Sequence, residues 1–238
     1  MSRTIQYVAE TGSTNADLIA RLRAGESLSD GFWIVTDRQT AGRGRQGRTW
    51  IDGHGNFMGS TVVHRGSGDP PLQSLALVAG LAVRGACLPH VADEWALRLK
   101  WPNDLLLGGA KLAGILLEGE GQSVVIGVGV NLSAAPNIEG QATATLGGLS
   151  RDRFAEQLAD SLATEIARWR AGGLSAVIAR WEAAAYPRGT PLSVRDPGGD
   201  RLFGTFDGLD ENGALRLRTA DGLVQVVYAG DIALERGE

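Results

Sequence analysis

The sequence predicts an α+β fold, in which helices flank a mixed or antiparallel central sheet and a small SH3-like β-barrel follows at the carboxyl end. Three observations support this class. Short strands joined by glycine turns form an antiparallel meander over residues 105–131. Two long amphipathic segments, beginning at Pro70 and Ser150, are typical of helices. After Pro187 and Gly189, the pattern changes to short alternating strands.

The elements before the meander alternate between helix and strand. Thr14 and Asp17 fit a capping box, which predicts that a helix begins there and ends by Gly25. Pro70 and Pro71 are well placed to open a second helix, because proline is tolerated in the first turn. The remaining apolar runs predict strands over residues 31–37, 56–64 and 97–100.

The later elements complete the predicted architecture. A long helix capped by Ser150 stops at Gly172 and Gly173, and a shorter helix follows over residues 174–185. The meander strands are predicted at residues 105–107, 111–118 and 123–131. The barrel strands are predicted at residues 191–194, 201–207, 214–219 and 224–228, with one turn at 197–199. The predicted domains are therefore residues 1–187 and 188–238.

Composition restricts the function classes. The chain has 238 residues and a formal net charge of −4, an acidic balance that argues against a general nucleic-acid binder. Its single cysteine, Cys87, excludes an internal disulfide and favours a reducing compartment. No stretch approaches membrane-spanning length, and residues 1–10 carry no apolar signal core. We therefore expect a cytoplasmic protein without a membrane partner.

The most informative segment runs from Gln39 to Trp50. It places Arg43, Arg45 and Arg48 beside glycines and contains no acidic residue. Glycine lets the backbone approach a ligand, and arginine presents a planar fork that matches phosphate and carboxylate. The segment therefore predicts a mobile loop that binds an anion, with Trp50 offering a stacking face. A solvated basic loop is the alternative.

Two lysine motifs follow the loop. Lys100, Asn103 and Asp104 are predicted to converge at one mouth of the sheet, where polar side chains meet a small ligand. Lys111 begins a strand and is followed by Gly114, which lets a ligand approach the backbone. A lysine there is suited to a ligand carboxylate or an activated phosphate. Each motif has a structural alternative. Residues 100–104 could be only a turn that ends a strand, and Lys111 could be only a solvated residue at a strand end.

Four motifs stand in an order that resembles biotin protein ligases. They are GRGRQGR at residues 42–48, KWPND at 100–104, KLAGILLE at 111–118 and GVGVNL at 127–132. The Ser13-Thr14-Asn15 motif and Gln39 also match. The resemblance covers nearly the whole chain, including the carboxy-terminal barrel. It implies a class II synthetase-like ligase catalytic fold.

The resemblance also implies a two-step reaction. Biotin and ATP, with Mg²⁺, give biotinyl-5′-AMP and pyrophosphate. Biotin then passes to a lysine of biotin carboxyl carrier protein, an acetyl-CoA carboxylase subunit, or of another biotin-dependent carboxylase domain. The match assigns biotin binding to Ser13, Thr14, Asn15, Gln39, Arg43, Gly44, Arg45, Lys111 and Gly114, with Lys111 and Arg45 catalytic. It assigns nucleotide binding to Arg43, Arg48, Trp50, Asn103 and Asn131, and the metal or incoming lysine to Asp104.

Some members of this family carry an amino-terminal DNA-binding domain. This chain reaches Ser13 within a few residues, which predicts the monofunctional type and no DNA partner. Two alternatives remain. A lipoate or octanoyl transferase would share the catalytic fold but use a different glycine-rich arginine motif. A binding module would hold RNA or another phosphate ligand with the arginine loop, without catalysis. The oligomeric state stays open, with a homodimer as one option.

Overall fold

The computed structural model describes residues 4–51, 53–195 and 200–235. Its centre is a seven-stranded sheet in the order β1-β2-β3-β7-β6-β5-β4. The strands are β1 (Thr4–Thr11), β2 (Phe32–Gln39), β3 (Phe57–His64), β4 (Leu97–Lys100), β5 (Asp104–Leu107), β6 (Ala110–Glu120) and β7 (Ser123–Val130). The β1–β2 pair is parallel and the other pairs are antiparallel, so the predicted mixed sheet and its meander are confirmed.

Strand β1 is absent from the sequence prediction. It lies at the edge of the sheet, where it pairs with β2. Most of its side chains are exposed or half-buried, because an edge strand with one neighbour needs little apolar surface. The strand therefore lacks the apolar run by which β2 and β3 are recognised.

Helices cover both faces of the sheet. Helix α1 (Thr14–Arg23) packs on the face that contains Ile34, whereas α2 (Leu75–Cys87) and α3 (Arg151–Ala184) pack in the larger core with Val35. Ile34 and Val35 are neighbours on β2, and successive strand residues point to opposite faces. The predicted arrangement of a sheet flanked by helices is confirmed.

Helix α3 bends at Gly173, whose φ of 71° and ψ of −176° are not helical. The two helices predicted on either side of this glycine therefore follow one another in a single kinked element. Glu165 joins the two parts, since it pairs with Arg168 before the kink and with Arg180 after it. Because Glu165 is buried, leaving its charge without these partners would be costly.

The expectation that no stretch approaches membrane-spanning length was wrong. The segment Leu72–His90 is 19 residues long and, by length and composition alone, apolar enough to cross a membrane. Most of this segment is buried, and α2 within it contributes much of the large core beside α3. Packing on several sides explains why the helix is apolar around most of its circumference.

The predicted capping box at the start of α1 was also wrong. Ser13 occupies the N-cap position without a side-chain cap, and Asp17 accepts a hydrogen bond from Thr11 Oγ1 at 2.6 Å. Thr14 Oγ1 instead lies 2.6 Å from Ser60 Oγ. The hydroxyl is part of a buried polar cluster, where leaving its partners unsatisfied would be costly.

A second, antiparallel sheet forms the carboxyl end in the order β11-β10-β9-β8-β12. Its strands are β8 (Pro191–Arg195), β9 (Arg201–Leu209), β10 (Leu215–Arg218), β11 (Val224–Val227) and β12 (Asp231–Leu234). The predicted small β domain is confirmed, although β12 is not among the predicted strands. Across the described residues, the pairings form an open sheet and not a closed barrel. The predicted turn at 197–199 lies outside the described residues.

Candidate active site

A cavity of about 300 Å³ opens between the arginine loop (residues 42–50) and strands β6 and β7. Its lining includes all residues predicted for biotin or nucleotide binding: Ser13, Thr14, Asn15, Gln39, Arg43, Gly44, Arg45, Arg48, Trp50, Asn103, Lys111, Gly114 and Asn131. Asp104 lines an adjoining cavity of about 380 Å³ and contacts Lys111. The fold thus brings the arginines and Lys111 to the same cavity.

The arginine loop folds as a short hairpin. Gly44 N donates to Arg48 O at 2.7 Å, and Trp50 N donates to Gly42 O at 3.0 Å. The turn between them passes through Gln46, whose φ of 55° is in the left-handed region that few non-glycine residues adopt. The hairpin fixes the backbone spacing of the arginines and leaves their long side chains to reach different partners.

Trp50 forms the cavity wall against β6 and β7. A Cβ atom at Gly129 would lie 2.4 Å from the indole ring, and one at Gly114 would lie 3.0 Å from it. Glycine at both positions therefore allows the ring to approach the two strands. Trp50 Nε1 is buried without a hydrogen-bond partner among the described residues, which is a desolvation cost of this close packing against Gly129.

The neutral end of the cavity consists of Thr14, Asn15, Gln39 and Ser60. Ser60 Oγ donates to Asn15 Oδ1 at 2.6 Å and lies 2.6 Å from Thr14 Oγ1. Gln39 Oε1 accepts from Thr14 N at 2.9 Å. Because Thr14, Asn15 and Ser60 are buried, these bonds hold a preformed, uncharged surface. Such a surface suits a small ligand that carries both N–H and C=O groups.

The charged end of the cavity consists of Arg43, Arg45, Arg48 and Lys111. Each arginine side chain has a partner: Arg43 Nη1 lies 3.5 Å from Glu118 Oε1, Arg45 Nη1 lies 3.2 Å from Asn103 Oδ1, and Arg48 Nη2 lies 2.7 Å from Asp231 Oδ1. Arg48 Nε also donates to Arg45 O at 3.3 Å. Burial lowers the pKa of Arg45. The negative charge of Asp231 on β12 raises it again, but only in part. A bound anion would therefore stabilise the charged form of Arg45.

Lys111 and Lys100 share the carboxylate of Asp104. Lys111 Nζ lies 2.8 Å from Asp104 Oδ1, and Lys100 Nζ lies 3.2 Å from Oδ2. Burial opposes the charge on Asp104, but the two ammonium groups outweigh it and hold the pKa of Asp104 below its usual range. An ionised carboxylate therefore fixes the Lys111 amine where the two cavities meet.

Asp104 was predicted to place a metal ion, and its surroundings favour a different role. Its oxygens are already paired with two ammonium groups. Within residues 4–51, 53–195 and 200–235, no group of three His, Cys, Asp or Glu side chains could hold a metal. These side chains do not fit a magnesium site built from protein oxygens.

Asn131 was predicted to contact the nucleotide. Its Nδ2 donates to Ala144 O at 3.1 Å and to Lys111 O at 3.3 Å, and its Oδ1 accepts from Asn56 Nδ2 at 3.5 Å. These bonds connect β7 to the segments that surround the cavity. They favour a role in holding the cavity wall, and direct nucleotide contact stays a prediction.

Two parts of the site were not predicted from the sequence. Ser60 stands in a strand whose other residues before His64 are apolar or small, and only its register opposite Gly127 shows its place in the cavity. Residues 136–143 form another wall, held by Lys111 N donating to Ala142 O at 2.8 Å. This segment has neither helical nor strand periodicity. The one feature that could have indicated its role is its position after a strand of the central sheet, because loops at strand ends often carry binding residues.

Two family models match this chain. The model of the biotin/lipoate A/B protein ligase family matches residues 10–131, which include the neutral end, the arginine loop and Lys111. The model of the biotin protein ligase C-terminal domain matches residues 189–234, which include β8 to β12. The matches therefore cover most of the residues of both sheets.

Individual proteins similar to this chain are also biotin protein ligases. The chain is 38% identical over 240 residues to a biotin–acetyl-CoA-carboxylase ligase of Paracoccus denitrificans, with 94% of this chain and 98% of the relative covered. It is 38% identical over 241 residues to the ligase of the same name from Mycobacterium tuberculosis, with 97% and 88% covered. Its fold resembles a biotin protein ligase from Aquifex aeolicus in complex with biotin and ATP, at a TM-score of 0.84, 23% identity, and 99% and 100% coverage.

Proposed function

The chain belongs to the biotin/lipoate A/B protein ligase family and is an ATP-dependent biotin protein ligase, and we propose that the cavity beneath the arginine loop carries out its reaction. One observation carries the proposal. The loop arginines and Lys111 line the same cavity as an uncharged, buried hydrogen-bonding end. A ligand with a polar ring at one end and a carboxylate at the other would fit both.

In the first step, a carboxylate oxygen of biotin attacks the α-phosphorus of ATP. A new P–O bond forms, the bond between the α-phosphorus and its bridging oxygen breaks, and pyrophosphate leaves. Two anions must approach each other, and their repulsion is large where water is excluded. We assign Lys111 and Arg45 to screening this repulsion, because both line the cavity and Lys111 is held by Asp104.

In the second step, the amine of an acceptor lysine attacks the carbonyl carbon of biotinyl-5′-AMP. A C–N bond forms, the C–O bond to AMP breaks, AMP leaves, and the amine releases a proton to solvent. The adjoining cavity shares Lys111 and Asn103 with the first and offers a route for the acceptor. Asp104 stands on this route, but its two oxygens are already paired with Lys100 and Lys111, so we assign it to holding Lys111 and not to receiving the acceptor amine.

The neutral end is assigned to the cyclic urea of biotin. A urea has two N–H donors and one carbonyl acceptor, and Asn15, Gln39 and Ser60 supply amide and hydroxyl groups that can satisfy both kinds. The dithiolane ring of lipoate and the alkyl end of octanoate offer nothing to bond with these side chains. A site built for hydrogen bonds discriminates strongly against ligands that lack the matching groups, so this end favours biotin over the lipoate alternative.

The nucleotide substrate in this proposal is ATP with Mg²⁺ on its phosphates. Mg²⁺ often binds through substrate phosphates and waters, with only one or two protein carboxylates. The acceptor is a carrier domain of a biotin-dependent carboxylase, and the reaction takes place in the cytoplasm without a role for DNA or a membrane. The RNA-binding alternative is weaker, because Arg43 and Arg48 point to carboxylates of this chain and not to an open basic surface.

The test is to incubate purified protein with ATP and magnesium and with biotin, lipoate or octanoate, and to measure pyrophosphate release. We expect release with biotin at least about 100-fold faster than with the other acids, followed by transfer of labelled biotin to a purified carrier domain. Faster release with lipoate or octanoate would support the transferase alternative. Salt-dependent RNA binding without any release would support the binding module.

A further inference from the structure

Glu118, near the end of β6, contacts both the neutral end and the arginine loop. Its Oε2 accepts from Asn15 Nδ2 at 2.7 Å, and its Oε1 lies 3.5 Å from Arg43 Nη1. Because only 26% of its side chain is exposed, water screens these contacts incompletely. One carboxylate therefore joins the buried hydrogen bonds of Asn15 to a cationic side chain of the loop.

This carboxylate sets the direction of the hydrogen bonds behind it. An ionised carboxylate can only accept, so Asn15 turns its Nδ2 toward Glu118 and its Oδ1 toward Ser60. Ser60 then donates its only proton to Asn15, so Thr14 is the donor across the 2.6 Å contact with Ser60, and its hydroxyl proton also faces Gln39 Oε1 at the longer distance of 3.2 Å. The bonds run in one direction from Thr14 to Glu118, and the amide of Asn15 has one favoured orientation.

The orientation of Asn15 decides what the cavity presents to a ligand. Its Oδ1 has two lone pairs, and Ser60 uses one of them. The second can accept an N–H of a cyclic urea. If the amide were reversed, its NH₂ group would face the ring N–H, and two donors would oppose each other.

We propose that Glu118 is a positioning residue for biotin recognition, which orients Asn15 and couples binding of the ring to the placement of Arg43. This inference rests on the function proposed above. Glu118 acts through Asn15 and Arg43 and does not touch the reacting atoms, so its loss should weaken ring binding far more than the chemical step.

The experiment compares Glu118→Gln with Glu120→Gln. Glu120 lies two residues further along β6, and its carboxylate pairs with the exposed Arg23 at 2.8 Å. We expect Glu118→Gln to raise the KM for biotin about tenfold while kcat for pyrophosphate release stays within about threefold. Biotinyl-AMP should also escape faster from this variant. Glu120→Gln should match the unmodified protein in all three measurements.

A double-mutant cycle with Thr14→Val separates orientation from simple structural support. Thr14 lies at the far end of the hydrogen-bonded series, and Ser60 and Asn15 separate it from Glu118. If the series transmits an orientation, Glu118→Gln should raise KM by less than about threefold once Thr14→Val is present. Additive effects of the two changes would overturn the proposal, as would an unchanged KM in Glu118→Gln.

Two further measurements distinguish a failure of the proposed function from a failure of the role of Glu118. Biotin titrated into the unmodified protein tests the proposed function first, and failure to bind biotin would refute that function independently of Glu118. If Glu118→Gln does not fold, Glu118→Asp replaces it, since it keeps the charge but withdraws it by one CH₂ group. That variant should raise KM about threefold with kcat retained, and an unchanged KM would overturn the role of Glu118.

Discussion

At the neutral end of the cavity, Thr14, Asn15 and Ser60 are 0–3% exposed, whereas at the charged end the side chains of Arg43 and Arg48 are 47% and 57% exposed. Buried hydrogen bonds cannot be replaced by water and therefore keep one geometry. Exposed ion pairs contribute little to stability and exchange easily. The comparison indicates that ligand identity is decided by groups fixed during folding. The exposed loop arginines can change partners when a ligand binds, whereas Lys111, to which we assign the chemistry, is held by Asp104.

The largest expected effect comes from Lys111 at the charged end. Lys111→Ala should lower the rate of adenylation about 10²- to 10³-fold, because it removes a preorganised charge from the reacting centre. Single-turnover pyrophosphate release at saturating biotin and ATP measures this. Lys100→Ala is the matched control, since Lys100 pairs with the same Asp104 but is not among the residues that line the cavity beneath the arginine loop. Equal losses in both variants would show that the effect passes through Asp104.

The next largest effect should come from distorting the neutral end. A Cβ at Gly127 would lie 2.3 Å from Asn15 Oδ1, so Gly127→Ala must displace the Asn15 side chain. We expect biotin affinity to fall about 10- to 100-fold, which corresponds to one or two lost hydrogen bonds. Isothermal titration measures it, with Gly119→Ala as the control because a Cβ there meets nothing within 4 Å. Unchanged affinity in Gly127→Ala would remove Asn15 from the recognition site.

A smaller effect is expected where the loop meets the second sheet. Arg48 pairs with Asp231 of β12 at 2.7 Å, and the two side chains are 57% and 36% exposed. Asp231→Ala should therefore change the escape rate of biotinyl-AMP by less than about fivefold, and the difference should shrink at high salt. A change of hundredfold or more would mean that β12 controls the loop far more tightly than this exposed pair allows.

The smallest effect concerns pH. The pKa of Asp104 is lowered in the folded protein, so its stabilising contribution is fully present above the unfolded value of about 3.9 and is lost as pH falls further through the folded pKa. The difference in unfolding free energy between the unmodified protein and Asp104→Asn should therefore stay constant within about 0.5 kcal/mol from pH 7 to pH 5. Urea unfolding at each pH checks this, and a titration centred between pH 5 and 6 would contradict the assignment of an ionised Asp104.

Sequence alone identified the charged end better than the neutral end, for a physical reason. Arg43, Arg45 and Arg48 are close in sequence, and charge set among glycines is a local signal. Ser60 and Glu118 acquire their roles only through contacts with Asn15, which lies 45 residues before one and 103 before the other. Such partners are set by strand register and by the position of α1, and neither leaves a local pattern.

The fold shows the same division between local and distant signals. The meander, the helical segments and the change of pattern after Pro187 were predicted, because periodicity and glycine turns are local features. The last two predicted helices are the two parts of α3. Strand β1 and the wall at residues 136–143 were missed, since an edge strand and an irregular segment carry no such periodicity. The capping box failed because Thr14 is used in the buried cluster at the neutral end.

The most direct test of the division between the two ends measures two quantities in two variants. Biotin dissociation constants and single-turnover adenylation rates at saturating biotin are determined for Thr14→Val and Lys111→Ala. Thr14→Val should weaken biotin binding about tenfold with the saturated rate within about threefold, while Lys111→Ala should lower that rate by about 100-fold or more and weaken binding by less than about tenfold. If both variants reduced the same quantity to a similar extent, recognition and chemistry would not be separated along this cavity.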